Sequence, residues 1–254
     1  MEGIILAGGF GTRLRARVAD LPKPMAPVAG RPFLAWLLDR LQAEGFRRIV
    51  LSVGYMRDAI IATFGARYGG MSIAYAIEER PLGTGGAIRH ALRSAEASGA
   101  GAARGPVWVM NGDTIAPIAC GAMAAAHEAR RRPGRPQMTM ALVRVPDASR
   151  YGAVAAEGDR IAGFNAAGTA GEGLINSGVY LLDRDLFADA DLPETFSFER
   201  DFIPASLDRI DLRPFVSEGW FLDIGVPADY DRAQTELPQA VTAAVAAASA
   251  AAAR

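Results

Sequence analysis

The stretch Gly3-Ile4-Ile5-Leu6-Ala7-Gly8-Gly9-Phe10-Gly11-Thr12-Arg13-Leu14 decides how the rest of the chain is read. Four apolar residues in a row, without polar alternation, suit a strand buried on both faces. The glycines after it let the main chain approach a charged ligand closely, and successive N–H groups there can point at phosphate oxygens. Two common phosphate loops are excluded by spacing. A dinucleotide fingerprint starting at Gly9 needs glycine or alanine where Leu14 stands, and a P-loop needs a Gly-Lys pair, which the chain lacks. What remains is a glycine-rich turn ending in Arg13, a permanent cation suited to bidentate phosphate contact. A tight structural turn is the competing reading.

Outward from this loop, the first half alternates short apolar runs with helical patterns. Leu34, Leu37, Leu38 and Leu41 mark one face of a helix that starts near Arg31-Pro32 and ends at Gly45. Residues 49–53, 71–77 and 107–110 read as further strands, and 55–64 and 84–98 as helices. Strand and helix alternating at this spacing imply a mostly parallel sheet covered on both faces. The second half is richer in strands, at 138–145, 152–156, 160–164, 173–182, 212–216 and 220–222, with helices near 198–207 and from Pro227. The expectation is one α/β domain over residues 1–237, Rossmann-like, with a mixed, mainly parallel sheet flanked by helices and a β-rich second lobe. The Ala-rich stretch 238–254 has helix propensity but no large side chain with which to pack, and is expected to be a frayed helix or a disordered end. Ligands in such sheets sit beyond the carboxyl ends of the strands, where Gly8, Glu78, Asp113 and Asp223 fall.

Composition narrows the class. The chain has 254 residues, a formal net charge of -1 and 22% charged residues. Neither sign dominates, which disfavours non-specific attraction to nucleic acid or anionic lipid. Arg130-Arg131-Arg132 reads as the solvated end of a helix stopped by Pro133-Gly134. A single cysteine, Cys120, excludes an intrachain disulfide. The chain opens straight into apolar residues, and no segment carries enough bulky apolar residues to span a bilayer, so a cytoplasmic protein is expected. His90 and His127 are too few for a histidine-rich zinc site and read as ordinary helical histidines.

The 27 basic residues are 26 arginines and one lysine, Lys23, held in Leu21-Pro22-Lys23-Pro24-Met25. A chain that otherwise uses arginine for positive charge keeps a compact ammonium here. The flanking prolines stiffen the loop that presents it. Left by itself, Lys23 could equally be a surface residue.

Taken together, residues 6–14 and Pro22-Lys23-Pro24-Met25 resemble the signature of the sugar-1-phosphate nucleotidyltransferase family. The resemblance continues through Glu79–Ala87, Asn111-Gly112-Asp113, Gly173–Tyr180 and Phe221–Pro227, and covers roughly residues 3 to 236. The pattern Ser197-Phe198-Glu199-Arg200-Asp201-Phe202 is most similar to the family's heptose 1-phosphate guanylyltransferase branch. The resemblance implies a GT-A-like fold and Mg²⁺-dependent transfer of a nucleoside monophosphate, GMP from GTP, to a sugar 1-phosphate. The product would be an activated sugar for surface polysaccharide. Mannose 1-phosphate or N-acetylmuramate 1-phosphate, with GTP or UTP, is the alternative substrate set, and a non-catalytic nucleotide-sugar-binding regulator is the alternative of another class. A homodimer is left open.

By the same resemblance, Leu6, Ala7, Gly8, Gly9, Gly11, Thr12 and Arg13 hold the triphosphate. Lys23 meets the α-phosphate, and Asp113 and Asp223 carry the metal, with Arg13, Lys23 and Asp113 as the catalytic set. Glu78 reads the base, with Glu79 an alternative, and Pro81, Gly83, Thr84 and Asn111 complete the nucleotide site. Gly152, Glu172 and Asn176 meet the sugar. One departure stands out. Many members follow the strand at 160–164 with a Glu-Lys pair whose lysine meets the sugar phosphate, whereas this chain reads Phe164-Asn165-Ala166-Ala167-Gly168. Arg150 is a candidate replacement.

Overall fold

Ile4 and Ile5 belong to the first strand, β1 (Glu2–Leu6), and both are buried. Consecutive residues of a strand point to opposite faces, and here the two enter different apolar clusters, one on each side of the sheet. The uninterrupted apolar run is therefore required by position: β1 is a central strand with no solvent face.

The computed structural model describes residues 1–9, 18, 21–97, 105–132, 134–164, 171–188 and 190–252, with side chains as far as residue 248. After β1 come β2 (Pro27–Val28), β3 (Arg31–Pro32), β4 (Arg48–Val53), β5 (Arg67–Tyr68), β6 (Met71–Ile77) and β7 (Val107–Asn111). They are followed by β8 (Thr114–Ile115), β9 (Gln137–Val145), β10 (Val154–Glu157), β11 (Arg160–Phe164), β12 (Gly173–Leu182), β13 (Asp211–Ser217) and β14 (Leu222–Asp223). The helices are α1 (Phe33–Ala43), α2 (Arg57–Phe64), α3 (Gly83–Ala97), α4 (Cys120–Ala129), α5 (Ile203–Ser206) and α6 (Pro227–Ala252). Eight strands form one sheet in the order β13-β9-β12-β7-β1-β4-β6-β5. The run β7-β1-β4-β6 is parallel, and β12 enters antiparallel between β7 and β9. The mixed, mainly parallel sheet expected from the sequence is thus present.

Helices α1, α2, α4 and α6 supply Leu34, Leu38, Phe64, Met123 and Leu237 to the cluster on one face. On the other face α3, with Ile88 and Leu92, packs beside Phe196, Phe198, Phe202 and Ile203. Each such aliphatic or aromatic side chain contributes about 1.5–3 kcal/mol on full burial.

Two local readings change. The helix expected near 198–207 is a π-helical turn over Phe198–Phe202 running into α5. The Ala-rich tail is not a separate end but part of the closing helix: α6 runs 26 residues from Pro227 through Pro238 to Ala252. Val241 is buried and Val245 packs against the same cluster. These two valines follow Leu237 at spacings of four, the helical repeat that the alanine count obscured. Among the described residues no helix is long and apolar enough to cross a membrane.

Candidate active site

Lys23 starts a short 3-10 turn, Lys23–Met25, entered from Pro22 at φ -65° and ψ 146°. The Met25 amide donates to the Pro22 carbonyl at 2.7 Å and the Ala26 amide to the Lys23 carbonyl at 3.0 Å, with Pro22 and Pro24 buried. The backbone beneath the lysine is fixed on both sides. Its ammonium donates to Asp113 Oδ2 and, at 3.2 Å, to Asp223 Oδ1. Three residues spread over 200 positions of sequence therefore meet at one point.

The sheet explains the meeting. Asp113 sits in the turn between β7 and β8, just past the carboxyl end of a central strand. Gly112 donates its amide to the Leu6 carbonyl at 2.9 Å, and a Cβ at 112 would stand 2.7 Å from that oxygen, so only glycine lets the turn lie against β1. The short strand β14 pairs antiparallel with β8, Asp223 opposite Thr114, and the Ile224 amide donates to the Asp113 carbonyl at 3.1 Å. This ribbon brings the second carboxylate beside the first. The Asp223 side chain is further fixed by the Gly225 amide at 2.7 Å. Lys23 is 10% exposed and Asp113 32%, so the cluster is half sheltered and open on the Asp113 side.

Gly8 and Glu78 lie together at the ends of β1 and β6. A Cβ at Gly8 would stand 2.9 Å from Glu78 Oε1. The Ser52 hydroxyl donates to that oxygen at 2.9 Å, and the Leu82 amide to Oε2 at 3.2 Å. Glu79 instead pairs at 3.1 Å with Arg57 and is largely exposed, so the two glutamates point different ways and Glu78 is the one facing the glycine loop. Leu6 ends β1, Ala7 follows it buried, and Gly9 lies in the open. Gly11, Thr12 and Arg13 lie outside the described residues. Asn111 ends β7, its side chain under Gly178, where φ is +74° and a Cβ would stand 2.4 Å from the amide nitrogen.

Thr84 falls elsewhere than its assignment to the nucleotide suggests. At the start of α3 its hydroxyl donates to Glu199 Oε2 at 2.7 Å and accepts from the Phe198 amide at 2.8 Å. The other oxygen of Glu199 accepts from the Tyr180 hydroxyl at 3.2 Å, and that hydroxyl accepts from Asn176 Nδ2 at 2.7 Å. Asn176 Oδ1 takes the Gly178 amide at 2.9 Å, where the β12–β9 register shifts. Thr84, Glu199, Tyr180 and Asn176 form one network under Phe187, Phe198 and Phe202, with Tyr180 edge-on to Phe198 at 5.2 Å. Burial, followed by the Glu199 charge, pushes the Tyr180 phenol well above its ordinary value, so the hydroxyl stays protonated. Gly83 and Pro81 belong to the same corner, the Thr195 hydroxyl reaching the Pro81 carbonyl at 3.4 Å. A Cβ at Gly83 would stand 2.5 Å from the Phe196 carbonyl.

The remaining sugar-side candidates separate. Gly152, at φ +79°, turns the chain next to the Ala153–Ile175 bridge and donates its amide to the Ala148 carbonyl at 3.2 Å. Glu172 is 66% exposed and paired at 3.3 Å with Arg144, so the structure does not bring it to Asn176. Arg150 donates to buried Asp229 at 2.7 Å. That bond raises the guanidinium's affinity for its proton, and the charge of nearby Asp223 adds to the effect. Tyr151, buried next to the same carboxylates, is pushed up to about 12. Arg150 is thus anchored to the first turn of α6, which follows the strand that carries Asp223. Residues 165–170, which replace the Glu-Lys pair, lie outside the described residues.

Glu199, Tyr180, Ser52 and Asp229 are participants that residue-level reading of the sequence did not assign. Glu199 had a signal in the Ser197–Phe202 pattern, but its partners lie 19 and 115 residues away. The histidines hold structure, as expected. His127 is buried with Nδ1 2.9 Å from the Thr139 hydroxyl, and His90 reaches the Ile77 carbonyl at 3.0 Å. Burial pushes the Cys120 thiol up to about 12, far from a reactive thiolate.

The donor set can be tested for a metal. Among the described residues no group of three or more His, Cys, Asp and Glu side chains converges. Two carboxylates that reach a common cation, with solvent on one side, suit Mg²⁺, which takes one or two carboxylates and completes its octahedron with water and phosphate oxygens. They do not suit a closed zinc site.

A family model described as Nucleotidyl transferase matches residues 2–240. The chain is 40% identical over 237 residues to a D-glycero-alpha-D-manno-heptose 1-phosphate guanylyltransferase of Aneurinibacillus thermoaerophilus, covering 93% of this chain and 98% of that protein. It is 36% identical to the protein of that name from Campylobacter jejuni, over 91% and 97% of the two chains. The crystal structure of HddC from Yersinia pseudotuberculosis complexed with GMP-PN aligns with a TM-score of 0.77 at 33% identity, covering 92% of this chain and 97% of that one. The matched span runs from the first strand into the last helix and includes Lys23, Asp113 and Asp223, and on this ground the chain belongs to the nucleotidyl transferase family.

Proposed function

We propose that the chain transfers GMP from GTP to D-glycero-α-D-manno-heptose 1-phosphate, releasing pyrophosphate. The observation that carries this reading is the meeting of Lys23, Asp113 and Asp223 at the carboxyl ends of a parallel sheet. The names of the relatives supply the substrate pair. In the reaction a sugar-phosphate oxygen attacks the α-phosphorus of the triphosphate in line with the leaving pyrophosphate. Two polyanions must be brought together, so catalysis is mainly positioning and charge neutralisation. Asp113 and Asp223 would hold Mg²⁺, which supplies positive charge to the phosphate oxygens. Lys23, on its proline-braced turn, meets the charge that grows on the α-phosphate, and the glycine loop with Arg13 holds the triphosphate.

Glu78 reads guanine. A carboxylate accepts two parallel N–H bonds from the base's Watson–Crick edge, and each oxygen keeps a lone pair after receiving its bond from Ser52 or Leu82. Asn176, held in one rotamer by Tyr180 and the Gly178 amide, and the Gly152 turn face the sugar hydroxyls. Arg150 takes the sugar phosphate in place of the absent lysine. The guanidinium lies over the Tyr151 ring at 5.1 Å and, with its side chain 44% exposed, keeps a face open to an incoming phosphate.

The test is pyrophosphate release with Mg²⁺ and each of the four common nucleoside triphosphates against heptose 1-phosphate, mannose 1-phosphate and N-acetylmuramate 1-phosphate. The highest kcat/KM is expected for GTP with heptose 1-phosphate. Folded protein that releases pyrophosphate from no pairing contradicts the proposal.

A further inference from the structure

Lys23 does more than lie near the carboxylates: its ammonium bridges them, donating to Asp113 on one side and to Asp223 on the other. This is where a divalent cation shared by the two would also have to bind. We propose that Lys23 is the resident counter-ion of the Asp113–Asp223 pair and gives way to a divalent cation only when a triphosphate arrives to receive the ammonium. Metal and nucleotide then bind as a unit, and metal alone binds weakly. The inference rests on the reading of these two aspartates as metal ligands.

Three features support it. The pair would otherwise be two converging anions, and the one lysine in the chain, 10% exposed, offsets one of their two charges. The ammonium is also pressed against the turn that carries Asp223. A Cβ at Gly225 would stand 2.2 Å from Lys23 Nζ, and the Gly225 amide holds the same Asp223 oxygen. Finally, only the side chain is able to move. The backbone of residues 22–26 is tied by its own turn bonds and two prolines, whereas the four-carbon stem is flexible.

An incoming cation without nucleotide must break two charge-assisted hydrogen bonds and leave a half-buried ammonium with no anion. Arriving with a triphosphate, it leaves the lysine a phosphate oxygen instead. The difference is one of coupling, so nucleotide tightens metal by the same factor as metal tightens nucleotide. From the worth of a charged hydrogen bond, that factor is about tenfold or more.

The experiment uses Mn²⁺ as the probe and the electron paramagnetic resonance signal of free Mn²⁺ as the readout, in nucleotide-free protein, so no turnover is needed. Lys23→Met should bind Mn²⁺ about tenfold or more tightly than the unaltered chain. Gly225→Ala keeps every charge but pushes the ammonium from its place, and should shift affinity in the same direction by a smaller factor. The double variant Lys23→Met/Asp113→Asn should lose the gain, which ties it to this site. A non-hydrolysable GTP analogue should tighten Mn²⁺ on the unaltered chain far more than on Lys23→Met. Unchanged Mn²⁺ affinity in folded Lys23→Met and Gly225→Ala overturns the proposal, as does a gain that survives Asp113→Asn. A chain that releases no pyrophosphate yet shows these shifts would reject the proposed reaction and leave the exchange standing.

Discussion

The two ends of the central strands each carry one charge held between two of the opposite sign, and the two clusters differ in what they leave open. At the amino end of β1, Glu2 is 4% exposed and lies between Arg48, at 3.5 Å, and Arg184. At the carboxyl end of the neighbouring β7, Lys23 lies between Asp113 and Asp223. The first cluster is formed by residues of β1 and β4 and the second residue after β12, and Arg184 also donates to the Gly105 carbonyl at 3.1 Å, so it closes the bottom of the sheet. The second is formed by a loop lysine, a turn aspartate and a two-residue strand, and stays open on one side. A buried charge cluster that joins regular elements serves the fold. One that joins loops at the carboxyl ends of strands can exchange a partner for a ligand.

This contrast gives its own tests. Lys23→Ala should lower kcat by about 10²–10³-fold, the usual loss of one preorganised electrostatic group, with little change in the denaturation midpoint. Glu2→Gln should do the reverse, costing about 3–5 kcal/mol in chemical denaturation because a buried carboxylate charge that holds Arg48 and Arg184 is lost, while the folded fraction keeps its kcat. Glu2→Gln with intact stability and lost turnover would erase the distinction. Arg150→Ala sharpens it at the substrate edge: the KM for sugar phosphate should rise about tenfold or more and the KM for GTP stay within about twofold, read from steady-state pyrophosphate release. Tyr180→Phe removes the hydroxyl that joins Asn176 to Glu199, and a rise of about fivefold in sugar-phosphate KM is expected, near 1 kcal/mol.

The smallest effect is a matter of pH, in a structural cluster again. Burial alone would raise the Asp183 pKa, but His127, the Gln137 amide and Arg131 more than offset it and hold the carboxyl below its ordinary value. A depressed carboxylate adds stability that is present above the unfolded value near 4 and is lost as pH falls through the folded value. Asp183→Asn should therefore flatten the acid limb of a melting temperature profile below about pH 4 and leave kcat at neutral pH unchanged.

The convergence was legible through the family resemblance more than through local pattern. Asp113, after the apolar run of β7, is where the carboxyl-end rule of parallel sheets applies, whereas Lys23 by itself could equally be a surface residue and Asp223 lies on β14, paired with β8 outside the main sheet. The network of Thr84, Tyr180, Asn176 and Glu199 was not legible in that way. Its hydrogen bonds depend on how α3 and the π-helical turn pack over β12, which no local pattern encodes. Glu172 likewise has a partner that spacing does not reveal: Arg144, one strand away across β9 and β12, pairs with it at the surface. The long α6 is legible in the four-residue spacing of Leu237, Val241 and Val245, which the surrounding alanines mask.

The central claim is that Asp113 and Asp223 share one divalent cation over which Lys23 and the triphosphate meet. A crystal of the protein with Mn²⁺ and a non-hydrolysable GTP analogue, with diffraction collected at the manganese edge, tests it directly. One anomalous peak coordinated by both aspartates and by phosphate oxygens, with the Lys23 ammonium moved from between the carboxylates onto a phosphate, is the predicted result. Bound nucleotide with the manganese away from Asp223 and Lys23 still bridging the two aspartates would contradict it.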